Sequence, residues 1–277
     1  MTKISDFAAG RTPGELYETY LVPAIFIPFS AEIVPFARAG GKVLDMACGT
    51  GIVSREMHRV LDGAISTTGL DVGPAMLACA RAALPESETV RWIEASALDM
   101  PLPDDSFDLV VCQQGLQFMP DRAQALSEVR RVLKPGGQFV AAVWASPEFN
   151  PDFSQFDQAI GTYFGADLVP SAPFGFGDQA ALGALVEEAG FAIEQIDQRS
   201  KQVVLPGLED FVLFDLMFLG RPGADGAMQP VVAPDDQSAD AVIERLIAEL
   251  EPAMVDPAHP DRMEITMTTN FVVARAI

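Results

Sequence analysis

Histidine and cysteine are scarce in this chain of 277 residues, with two of the first and three of the second. Cys48, Cys79 and Cys112 are scattered and form no C-x-x-C pair, so they frame neither a disulfide scaffold nor a zinc site. Each reads as a small buried apolar residue. His58 and His259 lie far apart in the sequence, which excludes a His-rich metal centre, and no metal is expected. Basic charge is scarce as well. Eighteen Lys and Arg face 39 Asp and Glu, for a formal net charge of −21. A field of that sign repels phosphate backbones, and the densest basic stretch, VRRVLK at 129–134, suits the last turns of a helix, so no nucleic acid is expected as a partner. A neutral or cationic small molecule fits better. Long apolar runs are missing too. LVPAIFIPF at 21–29 is too short and too interrupted by proline to span a bilayer, and MTKISDFAAGRT carries no basic stretch leading into an apolar one. A cytoplasmic protein without a membrane span is the expectation. Nothing in the chain fixes an oligomeric state.

What is present is a regular alternation. Nearly half the residues, 49%, are hydrophobic, enough for a sizeable core. From residue 42 the pattern runs strand (KVLDM), helix (IVSREMHRVL, with Ile52, Val53, Met57 and Val60 on one face), strand (AISTTGLD) and helix (GPAMLACARAAL). It continues as strand (TVRWIEA), strand (FDLVVC), helix (DRAQALSEVRRVLKPGG, closed by its Pro-Gly-Gly turn) and strand (QFVAAVW). Two late strand-like segments, FAIEQIDQRSKQVVL and MEITMTTNFVVARA, complete the set. The expectation is an α/β fold: a doubly wound, Rossmann-like, mostly parallel sheet of seven strands with a helical cap. The expected divisions are a cap segment at 1–40, a core at 41–204 and 263–277, and a helical cap insertion at 205–262.

The stretch VLDMACGTG at 43–51 ends a buried strand in a glycine turn that opens a helix. Such a turn presents free backbone N–H groups at the carboxyl end of a parallel strand, where open α/β sheets bind ligands. Gly49 and Gly51 allow close approach of a ligand to the backbone. Asp71 ends the next strand, where a carboxylate can accept from both hydroxyls of a ribose. A nucleoside-containing cofactor follows. The dinucleotide fingerprint is a near miss, because in GTGIVS the residue Ser54 stands where a third glycine or alanine belongs.

Several ordered motifs together resemble the class I S-adenosylmethionine-dependent methyltransferases, in particular the subgroup that includes quinone-biosynthesis enzymes. VLDMACGTG looks like the first motif of that family and GLDVGPAML its acidic second. ASALDMPLPDDSFDLVVC is similar to the adenine-side loop and fourth strand, and LSEVRRVLKPGGQFVAAVW matches the next helix, turn and fifth strand. The resemblance covers about residues 40–145. It implies S-adenosyl-L-methionine as cofactor. It places Asp45, Ala47, Gly49 and Gly51 at the amino-acid end, Asp71 on the ribose, and Val72 and Met76 near the adenine. Ala97 and Leu98 would flank the ring through backbone N–H groups, with Ser96 standing where the family usually has Asp. Cys112 and Gln113 end the fourth strand near the cofactor's ammonium, and Gln117 follows on the loop facing the methyl group.

The cap segments are rich in aromatics, among which Tyr20 is the best candidate to touch cofactor or acceptor. The expected function is methyl transfer to a small, apolar molecule at O, N or C, in secondary or quinone-type metabolism, achieved mainly by positioning. His259, Tyr20 and Gln117 are the weak candidates for a chemical role. A protein that binds adenosylmethionine without turning it over, and an NAD-dependent oxidoreductase, are the alternatives.

Overall fold

The computed structural model describes residues 2–165, 173–222, 228–233 and 236–277. Among them, seven strands form one sheet: β1 Lys42–Met46, β2 Ser66–Asp71, β3 Val90–Glu94, β4 Phe107–Gln113, β5 Leu133–Trp144, β6 Phe191–Pro206 and β9 Arg262–Ala276, in the order β3-β2-β1-β4-β5-β9-β6. The pairs β1–β2, β2–β3, β1–β4 and β4–β5 are parallel, and β9 runs antiparallel to β5. Strand order therefore reverses between β1 and β4, and the carboxyl ends of those two strands form the switch point. The two late strands lie side by side at one edge, as their position outside the alternation predicts. Two short strands, β7 Gly220–Pro222 and β8 Met228–Pro230, pair separately.

The described helices are α1 Lys3–Ala8, α2 Pro13–Leu21, α3 Ile27–Ile33, α4 Ile52–Val60, α5 Pro74–Ala83, α6 Arg122–Val132, α7 Pro151–Phe164, α8 Gln179–Glu188, α9 Leu208–Phe218 and α10 Gln237–Met254. The chain divides into two compact units, 26–146 with 173–201 and 268–277, and 1–25 with 147–172 and 202–267.

The sheet unit owes its core to strands covered on both faces, which read as continuous apolar runs. Leu44, Met46, Val110, Cys112, Phe139, Ala141 and Val143 are buried in one cluster with Leu126, Val129 and Val132 of α6. On α4, Ile52, Val53 and Met57 are buried as expected, but Val60, the last residue of the helix, is 55% exposed. The Pro-Gly-Gly segment does not close α6. The helix stops at Val132, and Lys134–Gly137 bulge out within β5, so that Phe107 faces Leu133 while Leu109 faces Gln138.

The second unit is helical and aromatic. On α9, Leu208, Phe211, Val212, Leu213, Phe214 and Leu216 are all buried. Phe211 meets Phe156 of α7 at 5.0 Å between centroids, and Tyr20 stacks on Phe7 at 5.3 Å.

The observed division differs from the expected one. Residues 26–40, expected in the cap, group with the sheet unit. There Phe29 sets its ring edge-on to Trp144 at 5.3 Å, and Glu32 pairs with Arg199 at 2.7 Å and Lys201 at 2.5 Å. Residues 147–165, expected in the core, group with the helical unit, where α7 makes aromatic contacts, and residues 166–172 lie outside the described residues. Residues 223–227 and 234–235 of the expected insertion lie outside the described residues.

Prolines 23 and 28 do not break the first segment. A π-helical turn at Val22–Phe26 joins α2 to α3, and a 3-10 turn at Val34–Phe36 follows. The stretch Pro13–Phe36, with mean hydropathy 1.5, is long and apolar enough by length and composition to cross a membrane, which corrects the reading of this region as too short. Core helices pass the same measure, and Leu16, Val22, Ile25, Phe29 and Ile33 are buried here.

Candidate functional site

The turn after β1 is built from left-handed residues. Ala47, Gly49 and Gly51 have φ of 55°, 55° and 78°. A side chain on Gly49 would meet nothing within 4 Å, so the outer face of the turn is open space. Its inner face is filled. A Cβ on Gly51 would lie 2.4 Å from Cη2 of Trp92, and one on Gly69 would lie 2.2 Å from Cζ3 of the same ring. The indole Nε1–H is fixed by the Leu84 carbonyl at 2.9 Å.

Two carboxylates hold the turn in place. Asp71 Oδ2 accepts from the Gly49 amide at 2.8 Å, and Oδ1 from the Gly73 amide at 2.8 Å. Asp45 is buried, and its Oδ2 accepts both the amide and the hydroxyl of Ser54, at 3.1 and 2.8 Å. Burial pushes the Asp45 carboxyl up to about 6, with a further push from the charge of Asp71, while the Ser54 bonds act in the opposite sense. Ser54 is therefore the partner of Asp45, which explains why a polar residue replaces the third glycine of a dinucleotide turn.

The end of β4 presses on this turn. A Cβ on Gly115 would stand 2.5 Å from Cβ of Ala47, so only glycine admits the approach. Gln114 is itself left-handed, with φ 56°. Gln113 donates Nε2–H to the Phe26 carbonyl at 2.9 Å, and Gln114 donates to Thr269 Oγ1 at 3.2 Å. The Oε1 atoms of both, and both amide atoms of Gln117, are buried with no hydrogen-bond partner among the described residues. Burial holds the Cys112 thiol up at about 12, and the buried Cys48 thiol is raised well above its usual range. Neither is a nucleophile at neutral pH.

Comparison with known proteins identifies the family. Residues 44–141 match the family described as "Methyltransferase domain". The chain is 30% identical over 166 residues to a demethylmenaquinone methyltransferase of Staphylococcus aureus (strain JH9), covering 56% of this chain and 69% of the relative. The chain belongs to the S-adenosylmethionine-dependent methyltransferases. The fold agrees. A methyltransferase structure from Bacillus halodurans C-125 superposes with a TM-score of 0.57 at 20% identity, covering 90% of this chain and 97% of that one. The [4+2]-cyclase SpnF superposes with a TM-score of 0.56 at 22% identity, covering 90% and 80%. The family sets aside the oxidoreductase.

The methyltransferase turn fits adenosylmethionine by its own chemistry. It has an open face over Gly49, a buried Thr50 Oγ1 without a partner among the described residues, and two carboxylates, Asp45 and Asp71, of the charge that suits a ligand carrying an ammonium group and ribose hydroxyls. Beside Asp71, Val72 is 67% exposed. It is no core residue, and it leaves apolar surface next to Asp71. Met76 is half-buried on α5. On the opposite loop Ala97 is buried, and Ser96 Oγ accepts the Leu98 amide at 3.1 Å. That bond uses the N–H expected to meet the adenine at Leu98.

The remaining candidates lie in the helical unit. Tyr20 packs between Phe7 and Phe214, its hydroxyl accepts from Arg11 Nη1 at 3.2 Å, and it lines a cavity of about 350 Å³ with Pro23 and Leu205. His259 is exposed, its Nδ1 3.2 Å from Asp256 Oδ2. Sequence reasoning missed two carboxyls in this unit. Asp215 on α9 is pushed up to about 7 by burial and by the charge of Asp157, and Asp157 on α7 up to about 6 by burial. Both stand beside phenylalanines, and only the tertiary approach of α7 to α9 marks them.

Proposed function

We propose that this methyltransferase alkylates a small, uncharged, largely apolar acceptor, and that it works by positioning rather than through a dedicated general base. When bound, adenosylmethionine supplies a methyl group on a sulfonium already activated for in-line displacement. Asp45, Ala47, Gly49 and Gly51 hold its amino-acid end. Asp71 accepts from the ribose hydroxyls with the lone pairs that its two amide donors leave free. Val72, Met76, Ala97 and Leu98 line the adenine side, with Ser96 closing their loop. Cys112 and Gln113 border the ammonium.

The observation that carries the acceptor assignment is the neutrality of the β4 end. Cys112, Gln113, Gln114 and Gln117 bear no charge at pH 7, and a buried charged acceptor would meet no counter-charge among them. The net charge of −21 opposes polyanionic acceptors, and the curated relative is itself named for demethylmenaquinone. Aligning acceptor atom, methyl carbon and sulfur can supply on the order of 7–11 kcal/mol without a base.

The test is incubation of the purified protein with adenosylmethionine and a panel of reduced naphthoquinones, phenols, indoles, alkylamines and polyanions. Mass spectrometry would follow S-adenosylhomocysteine and the methylated product, and would identify the methylated atom. Turnover with neutral aromatic compounds is expected. Turnover confined to cationic amines or polyanions would overturn the reading.

A further inference from the structure

Three glutamines lie at the end of β4, and they differ in one respect. Gln113 and Gln114 each spend the N–H end of the side chain on the protein itself, on the Phe26 carbonyl and on Thr269. Gln117 spends neither end. It is only 7% exposed, yet Nε2 and Oε1 both lack a partner among the described residues. A buried amide with both ends unpaired would carry the cost of leaving water, and native structures complete such a pairing with a ligand, an ion or an ordered water. Exchanging the oxygen and nitrogen of the amide changes nothing, because either orientation presents one donor and one acceptor.

The backbone beneath this side chain is fixed. Gln117 sits in a 3-10 turn, Leu116–Phe118. Arg122 Nη2 donates to its carbonyl at 2.8 Å, and the Arg122 guanidinium lies over the Phe176 ring at 4.4 Å. Two residues earlier, Gly115 is wedged against Ala47 of the cofactor turn. The amide is thus held in register with the turn that the family uses for its cofactor.

We infer that the Gln117 side-chain amide reads the methyl acceptor, and that it selects a neutral molecule bearing a hydroxyl group. A hydroxyl accepts from Nε2–H and donates to Oε1 at once, which pairs both ends. An acceptor without one leaves them bare, and a site built to pair a hydroxyl rejects analogues that lack it. This rests on the small, uncharged acceptor proposed above and adds its polar handle.

The experiment uses the whole protein saturated with S-adenosylhomocysteine, so that binding is read without turnover. The probes are 1-naphthol and 1-methylnaphthalene, of nearly equal size, measured by equilibrium dialysis. Wild type should bind 1-naphthol about tenfold more tightly or better. In Gln117→Leu that preference should vanish, with S-adenosylhomocysteine affinity changed less than about threefold. Gln117→Met serves as the second variant if the first fails to fold. A preference for the naphthol that survives both substitutions overturns the inference. So does a loss of cofactor-product affinity matching the loss of naphthol affinity, which would place Gln117 on the cofactor instead. If wild type binds S-adenosylhomocysteine but neither naphthalene, the apolar-acceptor reading has failed, and the inference falls with it.

Discussion

The amide of Gly49 and the carboxylate of Asp71 are joined by a 2.8 Å hydrogen bond that spans 22 positions of sequence. The second oxygen of Asp71 takes the Gly73 amide. One side chain therefore ties the glycine turn to the start of α5, besides the ribose contact proposed for it. From sequence alone Asp71→Asn would be the milder change. The geometry reverses that expectation, because one end of an asparagine amide must point its own N–H at an N–H donor. Both Asp71→Ala and Asp71→Asn should weaken adenosylmethionine binding, with roughly 1.5–3 kcal/mol at stake per charge-assisted bond. The Gly49 amide should exchange faster in each. Titration calorimetry and hydrogen exchange check this, and unchanged affinity in a folded Asp71→Ala protein would refute it.

Cofactor binding should depend on pH through Asp45. Its folded carboxyl sits near 6, above the value of about 3.9 for an unstrained aspartate, so the free protein loses stability from this group as pH rises from about 4 to about 6. A ligand carrying an ammonium group favours the ionised carboxylate, so affinity should rise with pH through about 6. In Ser54→Ala the hydroxyl bond that favours the charge is gone, and the midpoint should move upward. Calorimetry from pH 5 to 8 on both proteins reads the shift. A midpoint that stays put or moves down would remove Asp45 from the role.

Trp92 should couple the sheet to the cofactor turn. It pairs in register with Gly69, and its ring covers that residue and reaches Gly51. A methyl group at Gly69 has no room unless the ring moves, and overpacking of this kind costs about 1–3 kcal/mol. Gly69→Ala should lower stability in urea by that amount and also weaken adenosylmethionine binding. Adding Trp92→Leu should recover part of the loss. Strict additivity in the double variant would show that ring and glycine do not interact.

The carboxyl of Asp215 affects stability in the same direction as that of Asp45, and over a wider range of pH. Its folded value near 7 lies above the unfolded one, so the stability it permits is complete below about pH 4 and is lost as pH climbs to about 7. Asp215→Asn removes the charge without removing the shape. The melting temperature of the variant relative to wild type should rise between pH 5 and pH 8. Parallel stability curves across that range would show that the carboxyl does not titrate as described.

How much of this could be read from the chain varies with the range of the interaction. The strands from Lys42 to Trp144 are apolar runs bounded by glycine, proline and charge, and local pattern suffices to place them. The Asp45, Gly49, Gly51 and Asp71 constellation is legible for the same reason. Helices α7 and α8 are not legible in the sequence. QAALGALVEE is too uniformly small to show a stripe, and the aromatics of PDFSQFDQAIGTYF look like loop anchors until Phe156 is seen against Phe211. The unit boundaries at 26 and 147 depend on Phe29 meeting Trp144 and Glu32 meeting Arg199 and Lys201, contacts that no local window contains. Ser54 breaks the dinucleotide fingerprint because its amide and hydroxyl both donate to the buried Asp45 carboxylate, a contact that the folded turn alone reveals.

His259 tests the claim that positioning dominates. It is the only histidine outside α4, and His58 is occupied with Thr67 Oγ1 at 3.0 Å, its ring held below the usual imidazole range by burial. His259 belongs to a tight turn. Its amide donates to the Asp256 carbonyl at 2.8 Å, Asp256 Oδ1 accepts the Ala258 amide at 2.9 Å, and its ring meets Asp256 Oδ2. Those bonds give the residue a local structural reason to be there. A true general base is worth roughly 10²–10⁴-fold in rate. His259→Ala should therefore lower kcat by less than about tenfold and leave adenosylmethionine affinity unchanged. Steady-state kinetics with the acceptor found in the panel, together with calorimetry, supply both readouts. A hundredfold loss of kcat with fold and cofactor binding intact would make His259 the base and end the positioning account.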